Sequence, residues 1–308
     1  YGGHVTGASS EVAIGAMQRA GMRWMKVQWR YGPGNDPGAA SAVISAAHGR
    51  GFKILLGVVG NPNDLANGGA DYIQGYAQYV AGIAAQGADA IEVWNEPNID
   101  REWPTGAISG ANYTSMLAQA YTAIKAVNPN VLVISAGLAP TGAENFFGRD
   151  RVRNDDGFLQ EMAAAGAVNY MDCVGVHYNE GIVPPSRTSG DPRDNFYSRY
   201  FWTMVNLYHG AFGGQKPLCF TELGYLSPEG YGSLEGTNWG WAQNTTVGQQ
   251  AANLAEAIAI GSQSGKIRMI IVWNVDFTNF NANDPMAGFA MVRPGGGCPA
   301  CDTIAGAR

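Results

Sequence analysis

The sequence predicts an α/β chain folded as a single (β/α)8 barrel, and three observations carry that expectation. First, apolar strands alternate with alanine-rich helical stretches about eight times in one direction, the pattern of a parallel sheet. Second, 308 residues exceed most single domains, but a barrel takes about 250 residues as one unit, so one domain over 1–308 is expected. Third, the loops after strands four to eight are long, whereas the returns from helix to strand are as short as Gly21, Gly51 and Gly265. Barrels of this kind build their sites from loops at the carboxyl ends of the strands, so the asymmetry places chemistry at that end.

The elements follow in order. Strand one is Gly2 to Val5, and a helix from Ser10 to Ala20 is capped by Ser10 and stopped by Gly21. Strand two, Met22 to Tyr31, leads through the turn formers Gly32 to Pro37 into a helix from Ala39 to His48. Strand three is Lys53 to Val59. Asn61-Pro62-Asn63-Asp64 reads as a break, and a helix from Asp71 to Ala85 carries Tyr72, Tyr76 and Tyr79 as a packing stripe. Strand four is Ala90 to Asn95, followed by a helix from Ala111 to Val127 that Asn128-Pro129 ends. Strand five, Val131 to Leu138, precedes a helix near Gly157 to Ala165. Strand six, Met171 to Tyr178, precedes one near Phe196 to Tyr208. Strand seven, Pro217 to Leu223, opens a glycine-rich aromatic loop of about twenty residues, long enough to suggest function, before the helix Val247 to Ser262. Strand eight is Ile267 to Val275, with a last helix over Ala300 to Ala307.

Composition narrows the partners. A net charge of −6 and a pI near 5.2 offer no basic field for a phosphate backbone, which excludes nucleic acid and favours a neutral substrate. The longest apolar runs, such as Met269 to Trp273, fall short of the roughly 20 residues of a membrane span. Tyr1 opens the sequence with neither a methionine nor a signal-peptide pattern, from which we expect a trimmed export signal and an extracellular or cell-envelope location. Cys298 and Cys301 are close enough for a local disulfide or stand as two free thiols, lacking the further ligands of a zinc site. Cys173 and Cys219 fall in strands and read as core residues.

The chemistry centres on Ile91-Glu92-Val93-Trp94-Asn95-Glu96-Pro97-Asn98. An apolar run ends in Asn-Glu and a proline then stops the strand, leaving a carboxylate at a strand tip. A buried strand closing in a polar turn has the same pattern, so a partner carboxylate is needed to decide. Strand seven supplies one in Thr221-Glu222-Leu223-Gly224. Glycosidic hydrolysis uses one protonated carboxyl at the leaving oxygen and one carboxylate at the anomeric carbon, roles that Glu96 and Glu222 can fill.

Trp94-Asn95-Glu96-Pro97-Asn98 and Phe220-Thr221-Glu222-Leu223-Gly224 resemble the acid/base and nucleophile motifs of clan A glycoside hydrolases, retaining β/α-barrel enzymes, with family 39 nearest and family 5 next. The resemblance implies Glu96 as general acid/base, Glu222 as nucleophile and Asn95 as the ligand of the sugar 2-hydroxyl. It implies His177 and Tyr178 as contacts of nucleophile and substrate, and Trp273 as the floor of the cleaved sugar's subsite. Many relatives carry a strand-two arginine near the nucleophile; here Lys26, Gln28 and Arg30 share one face and any of them can take that role.

Trp29, Tyr31, Trp103, Tyr225, Tyr231, Trp239, Trp241, Phe277 and Phe280 lie at or after strand ends, and we expect about half to stack on sugar, with Asn274 and Asp276 binding hydroxyls. His4, His48 and His209 read as structural or surface residues. The expected activity is a retaining β-glycoside hydrolase, endo-acting on a polysaccharide, with no metal or organic cofactor. The alternatives are an exo-β-glycosidase or transglycosylase, a non-catalytic carbohydrate-binding barrel, and an aldolase- or isomerase-type barrel. The last needs a Schiff-base lysine or phosphate loop at a strand end.

Overall fold

The computed structural model describes residues 1–307. Eight strands alternate with helices and form one parallel sheet in the order β5-β4-β3-β2-β1-β8-β7-β6, the order of a (β/α)8 barrel opened between β5 and β6. The strands are β1 Gly2–His4, β2 Trp24–Arg30, β3 Lys53–Val59, β4 Ala90–Val93, β5 Leu132–Ser135, β6 Val174–Tyr178, β7 Leu218–Leu223 and β8 Ile267–Val272. A parallel bridge from Ile134 to Cys173, and Ser135 N donating to Cys173 O at 3.1 Å, nearly close the remaining gap. Among the described residues no helix is long and apolar enough to cross a membrane.

The helices are α1 Glu11–Ala20, α2 Ser41–Gly49, α3 Pro62–Ala85, α4 Gly110–Val127, α5 Glu144–Phe147, α6 Asp155–Ala164, α7 Phe201–Ala211, α8 Val247–Gln263 and α9 Pro299–Gly306. Local chemistry sets several of their ends. Ser10 accepts from Ala13 N at the start of α1, and Gly21 ends that helix at φ 69°. Thr246 and Gln249 form a capping box at α8. The third helix departs from expectation, since Asn61-Pro62 starts it instead of breaking the chain. Asn61 caps by accepting from Asn63 N, and Pro62 sits in the first turn, where its missing N–H costs nothing. The short α5 was not foreseen, and α7 begins five residues later than expected, after a 3-10 turn over Tyr197–Arg199.

Contacts group the described residues into two compact units. In the unit of Val27–His177 and Leu207–Cys219, apolar residues of β3, β4 and β5 are buried beneath α3 and α4. Tyr76 of α3 donates to Val58 O at 2.7 Å and Tyr113 of α4 to Val93 O at 2.8 Å, so helix hydroxyls tie α3 and α4 to the carboxyl ends of β3 and β4. The tyrosine stripe of α3 is packing, as its spacing suggested. Cys173 and Cys219 are buried here but form a disulfide, a pairing that reading them as core residues missed. In the unit of Tyr1–Lys26, Tyr178–Asn206 and Phe220–Arg308, α1 and α8 pack on α9, and Cys298–Cys301 is bonded.

Candidate active site

The strand-four motif is a strained turn. Trp94 (φ 74°) and Glu96 (φ 41°) both lie in the left-handed region that side chains avoid, at a cost of about 1–3 kcal/mol each. Their surroundings hold them there. Buried Trp94 packs edge-on against Tyr76 and Trp103 and donates Nε1–H to Glu102 O at 2.7 Å. Glu96 N donates to Gly137 O at 3.0 Å. Buried Asn98 then pins the loop, donating to Ala139 O and Arg153 O and accepting from Ala139 N. Sequence reasoning gave Asn98 no task of its own, although a buried Asn closing a turn is a familiar pin.

The turn leaves Glu96 8% exposed. One carboxylate oxygen accepts from Arg101 Nη2 at 2.7 Å and the other meets His177 Nδ1 at 3.1 Å. Burial alone pushes this carboxyl up, but the hydrogen bond and charge of His177 and the guanidinium of Arg101 outweigh it and hold Glu96 below its ordinary range. The neighbouring Glu102 is held above its ordinary range, by burial first and by the Glu96 charge in addition. Behind the imidazole, His177 Nε2 lies 3.6 Å from Glu92 Oε1.

The strand-seven carboxylate, Glu222, is likewise 8% exposed. Asn179 Nδ2 donates to its Oε2 at 3.2 Å, and Lys26 Nζ stands 3.6 Å from its Oε1 while donating to Thr221 O at 3.2 Å. Lys26, 1% exposed, is therefore the strand-two residue beside the strand-seven carboxylate, the question that the sequence left open. Close packing explains Gly224, where a Cβ would come within 2.8 Å of Asn179 Oδ1, Phe289 Cδ1 and Trp273 O. Trp273 is half-buried, edge-on to His4 at 4.6 Å and to Phe277 at 4.9 Å.

Several residues expected to touch substrate are buried or engaged by other parts of the protein. Tyr178 is buried with its hydroxyl on Arg199 O at 2.9 Å, packed against Phe201 and Tyr225, because adjacent residues of a strand face opposite ways and His177 takes the inner side. Tyr225 is enclosed with it. Trp103 is buried between Trp94 and Tyr113 and donates to Ala107 O at 3.1 Å. Asn274 is buried, donating to Met286 O and accepting from Phe277 N, so both ends of its amide are occupied. Trp29 takes the face of β2 opposite Lys26 and donates to Tyr79 of α3 at 2.8 Å. Trp239 and Trp241 pack the long loop around Leu226, Leu234 and Phe289. Asn95 is half-buried, and partly buried Asp276 accepts from Thr6 N at 3.4 Å. His48 bonds Asp89 at 2.7 Å on the surface, consistent with a structural role.

No protein-family model matches the chain, and no curated protein matches it in sequence. Solved structures do match it. A glucosidase from Croceicoccus marinus aligns over 99% of this chain and 66% of its own at 16% identity, TM-score 0.59. An endo-1,4-beta-mannanase from Rhizomucor miehei aligns over 99% and 92% at 12% identity, TM-score 0.60. A family 5 broad-specificity endoglucanase from Clostridium longisporum aligns over 97% and 85% at 15% identity, TM-score 0.62. The chain thus spans about two thirds of the glucosidase and most of the other two. At these identities the likeness establishes the β/α-barrel fold. Family 5 is the family named in it, where the sequence resemblance had put family 39 first.

Proposed function

We propose that the chain is a retaining β-glycoside hydrolase of the clan containing family 5, with Glu96 as general acid/base and Glu222 as nucleophile. The observation that carries this reading is a pair of equipped carboxylates. Each is 8% exposed at a strand's carboxyl end, at strands four and seven, and each has its own cationic and hydrogen-bonding neighbours. A barrel rim is where such groups converge on one substrate, and a separation of about 5 to 5.5 Å is what retention requires.

In the first step Glu222 attacks the anomeric carbon while Glu96 protonates the leaving oxygen, and a glycosyl ester forms on Glu222. In the second, Glu96 takes a proton from water, which displaces the ester. Lys26 and Asn179, one on each carboxylate oxygen, orient the nucleophile. Half-buried Asn95 suits the 2-hydroxyl, and Trp273, edge-on to His4 and Phe277, suits the floor of the cleaved sugar's subsite.

We read the enzyme as endo-acting on a β-linked polysaccharide, in line with the mannanase and endoglucanase it resembles. The glucosidase likeness supports an exo-acting alternative, and transfer to a sugar acceptor uses the same double displacement. Two disulfides favour an oxidising compartment and hence export. The test is a screen of β-linked polysaccharides and aryl β-glycosides beside Glu222→Gln. Oligomers released by the wild type and lost in the variant, by about 10⁴-fold or more, are the expected result. An undiminished variant rate would refute the assignment, and single sugars from aryl glycosides alone would make the enzyme exo-acting.

A further inference from the structure

We propose that a solvent-open trough, running from Glu96 past the carboxyl ends of β3 and β2 to Trp29, binds the extended part of a neutral, polyhydroxylated glycan chain. Trp29 is its outermost stacking platform. The proposal rests on the glycosidase reading given above and deepens it, since it names the kind of substrate and where its chain lies.

The trough belongs wholly to the unit of Val27–His177. It starts at Arg101, whose Nη2 donates to Glu96 Oε2 at 2.7 Å. Arg101 and Glu102 line a cleft of about 710 Å³ together with Arg30, Asn61, Asn63 and Asp64. Local sequence supplies the α3 side of it. Asn61 caps α3, so Asn63 and Asp64 fall in the first turn of that helix, just beyond the end of β3. Arg30, the last residue of β2, also lines a second cleft of about 340 Å³ with Trp29, Asn35, Asp36 and Tyr79. One side chain thus joins the two clefts, and a path leads from the proposed acid/base to an indole.

Shape and chemistry then select the ligand. Both clefts fall within the range of about 300–1,000 Å³ usual for small-molecule sites, and together they exceed what one sugar fills. Arg30, Asn35, Asp36, Asn61, Asn63 and Asp64 are exposed, so the path is open along its length and a chain can run past Trp29 instead of ending there. The charges lining it are of both signs, with guanidiniums at Arg30 and Arg101 and carboxyls at Asp36, Asp64 and Glu102. No one sign dominates to draw in an anionic or cationic chain. These groups and the side-chain amides of Asn35, Asn61 and Asn63 are instead planar donors and acceptors, suited to sugar hydroxyls. Trp29 completes the set. Its Nε1–H is spent on the Tyr79 hydroxyl at 2.8 Å, so what the half-buried ring offers a ligand is its apolar face.

The test measures binding of β-1,4-linked glucan and mannan oligomers of two and six sugars by calorimetry, in Glu222→Gln protein so that the ligands are not consumed. The preferred hexamer is expected to bind at least about tenfold more tightly than its dimer. Trp29→Ala and Arg30→Ala, each added to that protein, are expected to weaken the hexamer about tenfold, with a loss for the dimer at least about fivefold smaller. Trp29→Phe keeps a ring face and loses the bond to Tyr79, and is expected to recover most of the loss, which a purely structural Trp29 would not allow. A β-1,4-linked glucuronate hexamer is expected to bind at least about tenfold more weakly than the neutral one. Hexamer and dimer held equally, or weakened equally by both variants, overturn the trough, and tighter binding of the glucuronate overturns its neutral class. Arg30 is exposed, so Arg30→Ala decides the matter even if Trp29→Ala fails to fold. With Glu222 intact, Trp29-dependent hexamer binding and no cleavage of any oligomer would support the trough and refute the hydrolase reading. Cleavage with no dependence on chain length would do the reverse.

Discussion

Lys26 is the residue whose placement asks most of the fold, because a 1% exposed ammonium is tolerated only with a partner to answer it. Its Nζ has that in the Glu222 carboxylate at 3.6 Å and in Thr221 O. Lys26→Met keeps the length and removes the charge, and kcat/KM on an aryl glycoside is expected to fall by about 10²-fold, the usual loss when one preorganised electrostatic contact is deleted. Steady-state kinetics on folded variant checks this, and a loss under threefold would make Lys26 a structural residue. At this scale the two carboxylates were legible because each lies at the carboxyl end of an apolar strand. Asn179 was legible in principle and missed: His177 and Asn179 are two apart and share a face, while Tyr178 between them faces the other way. The same alternation on β2 separates Lys26 from Trp29. The strain at Trp94 and Glu96 was not legible, since φ is imposed by partners as distant as Tyr76 and Gly137.

Among the elements, α3 shows how propensity and capping compete. Asn-Pro was read as punctuation, yet the same two residues make a helix start when apolar positions follow that can face the core, as Leu65 does. The helix then kinks at Gly69, with φ 50° and ψ −125°, and resumes with Tyr72, Tyr76 and Tyr79 on its buried side. A Cβ at Gly69 meets nothing within 4 Å, so any cost of Gly69→Ala is a backbone cost. The variant is expected to lose about 1–3 kcal/mol, read as a lower denaturant midpoint with unchanged slope. No loss would mean that the helix runs straight through this position in solution. Strand positions were more legible than helix starts, because a parallel strand buried on both faces is a near-continuous apolar run, as in Ile54 to Val59.

At the scale of the whole molecule, the barrel was legible from eight repeats of one supersecondary unit, but its covalent stitching was not. Cys173 and Cys219 are separated by 46 residues and become neighbours only once Val174 N has met Pro217 O, a long-range pairing no local pattern encodes. Closing a loop of that length in the unfolded chain is worth about 4 kcal/mol in the chain-entropy account. Cys173→Ala combined with Cys219→Ala is therefore expected to lower the unfolding free energy by about that amount, measured in denaturant without reductant. Since both sulfurs are buried, mild reductant is expected to leave the native wild type unchanged and to act only as it unfolds. The same pair bears on where the protein works. A bond that contributes this much forms and persists in an oxidising compartment, so wild-type protein made in a reducing cytosol should resemble the double variant until it is oxidised, and then regain the difference. Equal stability of reduced, oxidised and alanine forms would remove the disulfide from the account of stability and with it the main physical support for export.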